Sequence, residues 1–211
     1  MSYPPAPWDL RGQLWLSLFR VRPGDNVERR PGLYGVAMVA YEPPGHLAYS
    51  ELLVARRARS TSDGAGSIPR LSGALRASLE ITDIWVDSPA SRDGGRELWA
   101  IPKELCDLER TTTGDRVEHT AWSATLDGSP IAAARFRDVS VPAPRLPFKG
   151  SVTQRALDDA DRIHVARLAG SAKAFPTRAS WLFSVPGPLA WLSGKRPLAS
   201  LRLTDFSLSF G

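Results

Sequence analysis

Short apolar segments, each closed off by glycine, proline, serine or aspartate, recur from one end of this 211-residue chain to the other. Segments of that kind separated by turn residues read as strands. They fall at 13–21, 33–41, 47–57, 78–86, 117–126, 131–139, 162–169, 179–185 and 199–210. Several alternate. In 117–126, Val117, His119, Ala121 and Ser123 are set to face one way, and Glu118, Thr120 and Trp122 the other. A closed barrel or a packed sandwich absorbs this many strands. Helix signals are few. In Asp87-Ser88-Pro89, Ser88 suits an N-cap and Pro89 the first helical position. The helix runs over 90–99, weakened by Gly94-Gly95 and stopped before Pro102. A second short helical piece is expected at 188–192, and 60–67 and 142–147 read as loops. The expected fold class is therefore mainly β with a few short helices. At about 100–200 residues per domain, 1–211 reads as one domain.

Composition narrows the functional classes. Cys106 is the only cysteine, so there is no intramolecular disulfide, and a reducing cytoplasm is the expected setting. Met1-Ser2-Tyr3-Pro4-Pro5 lacks the basic start and apolar run of a signal peptide. No segment approaches the roughly 18 uncharged apolar residues of a membrane span. The net charge of +5 comes mostly from scattered arginines, without a nucleic-acid-binding motif. A positive surface serves equally well to steer an anionic small molecule. His46, His119 and His164 have no partner at metal-ligand spacing, so no metal or other cofactor is expected. Nucleophile-elbow, dinucleotide and phosphate-loop patterns are missing too.

One segment carries chemistry. It runs Ile84-Trp85-Val86-Asp87-Ser88-Pro89, then through Gly94-Gly95-Arg96-Glu97-Leu98-Trp99-Ala100-Ile101-Pro102-Lys103-Glu104-Leu105. It reads as strand, short helix, then a strand opened by Pro102-Lys103, and the glycine pair allows close backbone approach. Lys103 is the first of only four lysines, and its flanks are apolar. A lysine amine has a free pKa of about 10.4 and is a poor nucleophile while protonated. Burial among apolar groups disfavours the ammonium form, and the neutral amine can attack a carbonyl to form an imine. A surface lysine lying along an apolar strand is the competing reading.

The pattern Gly95-Arg96-Glu97-Leu98-x-Ala100-x-Pro102-Lys103-x-Leu105 resembles the signature of the acetoacetate decarboxylase-like family, whose lysine after the proline forms the imine. Tyr49-Ser50-Glu51 is similar to the family's Tyr-Thr-Glu, and Leu10-Arg11-Gly12-Gln13-Leu14-Trp15 to its first strand. The resemblance implies an antiparallel, cone-like β-barrel that assembles into homo-oligomers. It also implies a Schiff-base lyase that decarboxylates a 3-oxo acid or related keto acid. Lys103 is then the nucleophile, Glu51 the acid/base or orienting carboxylate, and Arg11 the anchor of the substrate carboxylate. Trp85, Arg96, Trp99 and Glu104 flank the lysine as candidate substrate-binding residues. Two positions depart from the family pattern. Glu104 replaces a second lysine, and 34–37, where another glutamate is expected, reads Tyr-Gly-Val-Ala. The same scaffold also accommodates aldol, dehydration or cyclisation chemistry on a polyketide-like or other carbonyl substrate, or non-covalent binding of an apolar ligand. The expected partner in each case is a small molecule rather than nucleic acid or membrane.

Overall fold

A computed structural model describes residues 3–58, 78–139, 143–159 and 161–211. Its elements in chain order are β1 (Trp8–Val21), β2 (Gly32–Tyr41), β3 (Tyr49–Arg57), β4 (Ser78–Val86), α1 (Pro89–Trp99), β5 (Lys103–Leu105), β6 (Asp107–Thr113), β7 (Val117–Leu126), β8 (Ser129–Val139), β9 (Arg145–Arg155), β10 (Ile163–Pro176), β11 (Arg178–Phe183) and β12 (Ala199–Phe210). A 3₁₀ turn occupies Ala190–Leu192 inside the expected second helical piece. The expected loop at 60–67 lies outside the described residues.

Seven strands close into a barrel in the order β1-β2-β3-β4-β9-β10-β12, with β12 returning to β1. The expected antiparallel barrel holds except at β4. This strand pairs parallel with β9 through Ser78–Ser151 and Leu79–Val152, and parallel with β5 through Ile84–Lys103, Trp85–Glu104 and Val86–Leu105. For β5 the cause is α1, since a helical crossover returns the chain in the direction it left. β9 and β5 thus share one edge of β4, β9 at its start and β5 at its end. That arrangement seats Lys103 in the barrel wall.

The remaining strands form a second sheet, β11-β8-β7-β6, laid over one flank of the barrel. The period-2 pattern of the barrel strands serves both sides at once. In β1, Leu10 and Leu14 line the interior while Trp15 and Phe19 face the second sheet. In β2, Val39 and Tyr41 point in and Met38 points out. In β3, Tyr49, Glu51 and Leu53 point in, and Leu52 and Val54 out. The outward residues meet Trp122, Phe136 and Phe183, with Trp15 edge-on to Trp122 at 5.6 Å and Phe19 edge-on to Phe183 at 5.6 Å. Such aromatic pairs are worth about 0.5–1.5 kcal/mol beyond the area they bury. Much of the apolar core therefore lies between barrel and sheet. The barrel's own interior is left free for a cavity.

The expected loop at 142–147 also needs correction where it is described, because Arg145, Leu146 and Pro147 already belong to β9. Pro147 sits opposite Ser171 in β10, beyond the short stretch where β9 pairs with β4. A proline is tolerated there because no ladder bond is needed on the open side.

Candidate active site

The barrel encloses a cavity of about 310 Å³. Lys103 enters it from β5 and is buried, with 4% of its surface exposed. Two features of α1 make room for it. Ser88 caps the helix, its Oγ accepting from Ser91 N at 3.2 Å, and Pro89 begins the first turn, as the sequence pattern requires. Ser91 and Gly95, four residues apart, then share the helix face that looks onto the lysine. A Cβ at Gly95 would lie 2.7 Å from Lys103 Cδ and 2.9 Å from Cε, so only glycine lets the stem pass so close. The helix ends at Ala100, which adopts the left-handed conformation (φ 55°, ψ 27°) and turns the chain back toward β5. That conformation costs a residue with a Cβ about 1–2 kcal/mol, and here it is what delivers Lys103 to the barrel wall.

All three donor positions of the Lys103 ammonium are occupied. Nζ donates to Glu51 Oε2 at 2.9 Å, Ser91 Oγ at 2.9 Å and Tyr49 Oη at 3.2 Å. Glu51 is equally buried, with 3% exposed. Its other contacts are the hydroxyls of Tyr41, 3.4 Å from Oε1, and Tyr49, 3.4 Å from Oε2. The two phenol rings stack at 4.4 Å. Burial, reinforced by the Glu51 charge, pushes both phenols well above their ordinary value of 10. They remain neutral and able to donate to the carboxylate throughout the physiological range. The cluster is thus one amine, one carboxylate and three hydroxyls at one end of an otherwise apolar chamber. Among the described residues, no group of three or more His, Cys, Asp or Glu side chains is placed to hold a metal ion.

The structure brings together only some of the residues singled out from the sequence. Lys103, Glu51 and Trp99 line the cavity, and Trp99 stands edge-on to both Trp8 and Phe210 at 4.7 Å. Arg11 does not reach it. It is exposed and lines a separate depression with Glu42, Arg145 and Asp205, because strand alternation puts it on the opposite face from Leu10 and Leu14. Trp85 is buried in the core under the second sheet, again by alternation, since its neighbour Ile84 takes the inward position. Glu104 points away from the amine with 61% of its side chain exposed and pairs with Arg96 at 2.7 Å. Arg96 also donates to the Lys103 carbonyl oxygen at 3.1 Å, so this pair ties β5 to α1 outside the cavity. Sequence reasoning did not single out Ser91 and Tyr41 as site residues, and it quoted Tyr49 only as part of a motif. Tyr49 was recoverable as the i−2 neighbour of Glu51 on a strand, and Ser91 as the i−4 neighbour of Gly95 on a helix.

Solved structures share this architecture. No protein-family model matches the chain, and no curated protein matches its sequence. An acetoacetate decarboxylase structure superposes with a TM-score of 0.67 at 14% identity, covering 99% of this chain and 88% of the other. The enduracididine biosynthesis enzyme MppR, complexed with the condensation product of pyruvate and imidazole 4-carboxaldehyde, gives 0.64 at 13% identity, with the same two coverages. An acetoacetate decarboxylase-like enzyme from Sphingomonas wittichii RW1 gives 0.57 at 12% identity, covering 99% and 91%. The fold is that of the acetoacetate decarboxylase-like enzymes, the family whose signature the segment around Lys103 resembles. No helix is long and apolar enough to cross a membrane among the described residues.

Proposed function

We propose that this protein is a lyase that works by covalent catalysis, Lys103 forming an imine with a ketone or aldehyde. The observation that carries this reading is a lysine amine buried in a chamber with a carboxylate at 2.9 Å. Glu51 takes the proton that frees the amine lone pair. The nitrogen attacks the carbonyl carbon, Glu51 gives that proton to the carbonyl oxygen, and it then passes a second proton from the nitrogen to the resulting hydroxyl, which leaves as water. The resulting iminium accepts an electron pair from a bond to the adjacent carbon. If that bond is to a carboxylate, carbon dioxide leaves, as in the decarboxylation of a 3-oxo acid. If it is to hydrogen, an enamine forms that is poised for aldol or dehydration chemistry. Protonation of the enamine and hydrolysis of the imine release the product. One observation favours the second outcome. Arg11, the expected anchor for a substrate carboxylate, faces away from the cavity.

Borohydride reduction in the presence of a methyl ketone tests the shared step. The expected result is a stable adduct on the peptide containing Lys103, found by mass spectrometry and lost in Lys103→Ala. A wild-type protein left unmodified at Lys103 by every ketone and aldehyde tried would falsify the reading. Gly95→Ala supplies a finer test. Alanine gains about 1 kcal/mol of helix propensity over glycine, while its methyl group displaces the lysine stem from Glu51 and Ser91. We expect a folded protein whose capture rate falls at least about tenfold, since misplacing a reacting group by about 1 Å can cost far more. An unchanged rate would mean that the close packing of Lys103 on α1 is irrelevant to its chemistry.

A further inference from the structure

We infer that the substrate is a neutral, apolar carbonyl compound with a body of about eight to ten carbons, rather than a short keto acid. The inference rests on Lys103 forming the imine, and it concerns what surrounds that bond. The cavity's polar groups are concentrated around Lys103 and Glu51. Lys149 also lines the cavity, but it is exposed and lies between the lining residues Phe148 and Gly150 on β9, so strand alternation turns its side chain away from the interior. No arginine is among the lining residues described. The walls are built from two apolar clusters that share Tyr41, Leu53 and Leu208 as packed neighbours. Trp8, Trp99 and Phe210 belong to one, and Val39, Leu203 and Phe206 to the other.

A carboxylate cannot be accommodated cheaply in such a chamber. Taken from water into apolar surroundings, it needs a cation and hydrogen-bond donors to offset its desolvation. Among the described residues, the one cation in the interior is Lys103, already paired with Glu51. A 3-oxo acid would place its carboxylate within a few bonds of the imine carbon, beside the Glu51 carboxylate, and would add like-charge repulsion. An alkyl or aryl chain meets the opposite condition, since every methylene entering the chamber leaves water for an apolar wall. The volume of about 310 Å³ corresponds to about ten groups of water size. It is far more than acetoacetate needs.

The test is capture of 2-butanone, 2-octanone and 3-oxooctanoate by the intact protein with borohydride, scored at the Lys103 peptide across a concentration series. Burial of each methylene is worth roughly fourfold in affinity. Four more methylenes should therefore lower the half-saturating concentration of 2-octanone at least about 100-fold below that of 2-butanone. We expect 3-oxooctanoate to be captured at least tenfold less readily than 2-octanone. Equal or better capture of the acid, or a flat response to chain length, overturns the inference and leaves the imine intact. If no ketone is captured, the imine reading fails, and thermal shift with compounds that cannot form an imine still decides the inference. A rise in Tm with 2-octanol but not with 2-butanol or octanoate supports an apolar, charge-rejecting chamber, and no difference among the three overturns it.

Discussion

Lys103→Met is expected to lower stability by about 3–5 kcal/mol while removing the proposed nucleophile, because it strands a buried carboxylate. Glu51 is 3% exposed, and its remaining partners are two phenols at 3.4 Å, neither of which carries a positive charge. At roughly 2–4 °C per kcal/mol for a chain of this size, Tm should fall by about 6–20 °C. The double variant Lys103→Met with Glu51→Gln should regain most of that loss. A neutral amide can still accept from Tyr41 and Tyr49, and replacing both members of a buried ion pair is often close to neutral. Denaturant unfolding of the four proteins in the cycle measures the coupling, expected to exceed about 2 kcal/mol, toward the upper end for residues in direct contact. The double variant also separates stability from chemistry, since it should fold well and still give no borohydride adduct. A single variant that loses less than about 1 kcal/mol would show that the amine does not hold Glu51 in the interior.

How far the sequence foretold this arrangement depends on whether the signal was local. β4, β7 and β12 begin and end where their apolar pattern does, at Ser78–Val86, Val117–Leu126 and Ala199–Phe210. The cap at Ser88 and the proline at the first helical turn were readable because capping is a matter of a few adjacent residues. β6 was not readable. Asp107–Thr113 is polar and mostly exposed, an edge strand that owes its conformation to pairing with β7 rather than to its own composition. The placement of Arg11 was half readable. The motif suggested the site, but parity along β1 opposed it, with Leu10 and Leu14 pointing inward and Arg11 between them. Parity also sends Glu104 out wherever Lys103 goes in. What no local pattern contains is the convergence of Tyr41, Glu51, Ser91 and Lys103, drawn from four elements by barrel closure. The apolar character of the chamber is similarly a property of facing strands.

A second ion cluster, on the outer face of the barrel wall, holds the outer sheet to the barrel, and its loss is expected to be as costly. Arg202 on β12 is buried and reaches across to Asp138 on β8 at 2.5 Å and Glu118 on β7 at 2.8 Å, while its other terminal nitrogen donates to Gln13 at 2.6 Å. Its guanidinium lies over the Trp15 ring at 5.1 Å. Burial works against the charge on Arg202, but the hydrogen bonds and charges of Glu118 and Asp138 outweigh it, and the net effect raises its pKa beyond the ordinary arginine value. Arg202→Met therefore leaves two carboxylates facing each other with no cation between them, Asp138 wholly enclosed and Glu118 19% exposed. The expected loss is about 3–5 kcal/mol. It should be partly recovered when Asp138→Asn is added, which removes the more deeply buried of the two charges. Hydrogen exchange distinguishes this from general loosening. Amides of β7 and β8 should lose protection first, while those of β2 and β3 around Glu51 keep theirs, because local opening follows the contacts that were cut. Uniform loss across both sheets would mean that barrel and outer sheet unfold as one unit and that Arg202 stabilises the whole rather than the joint.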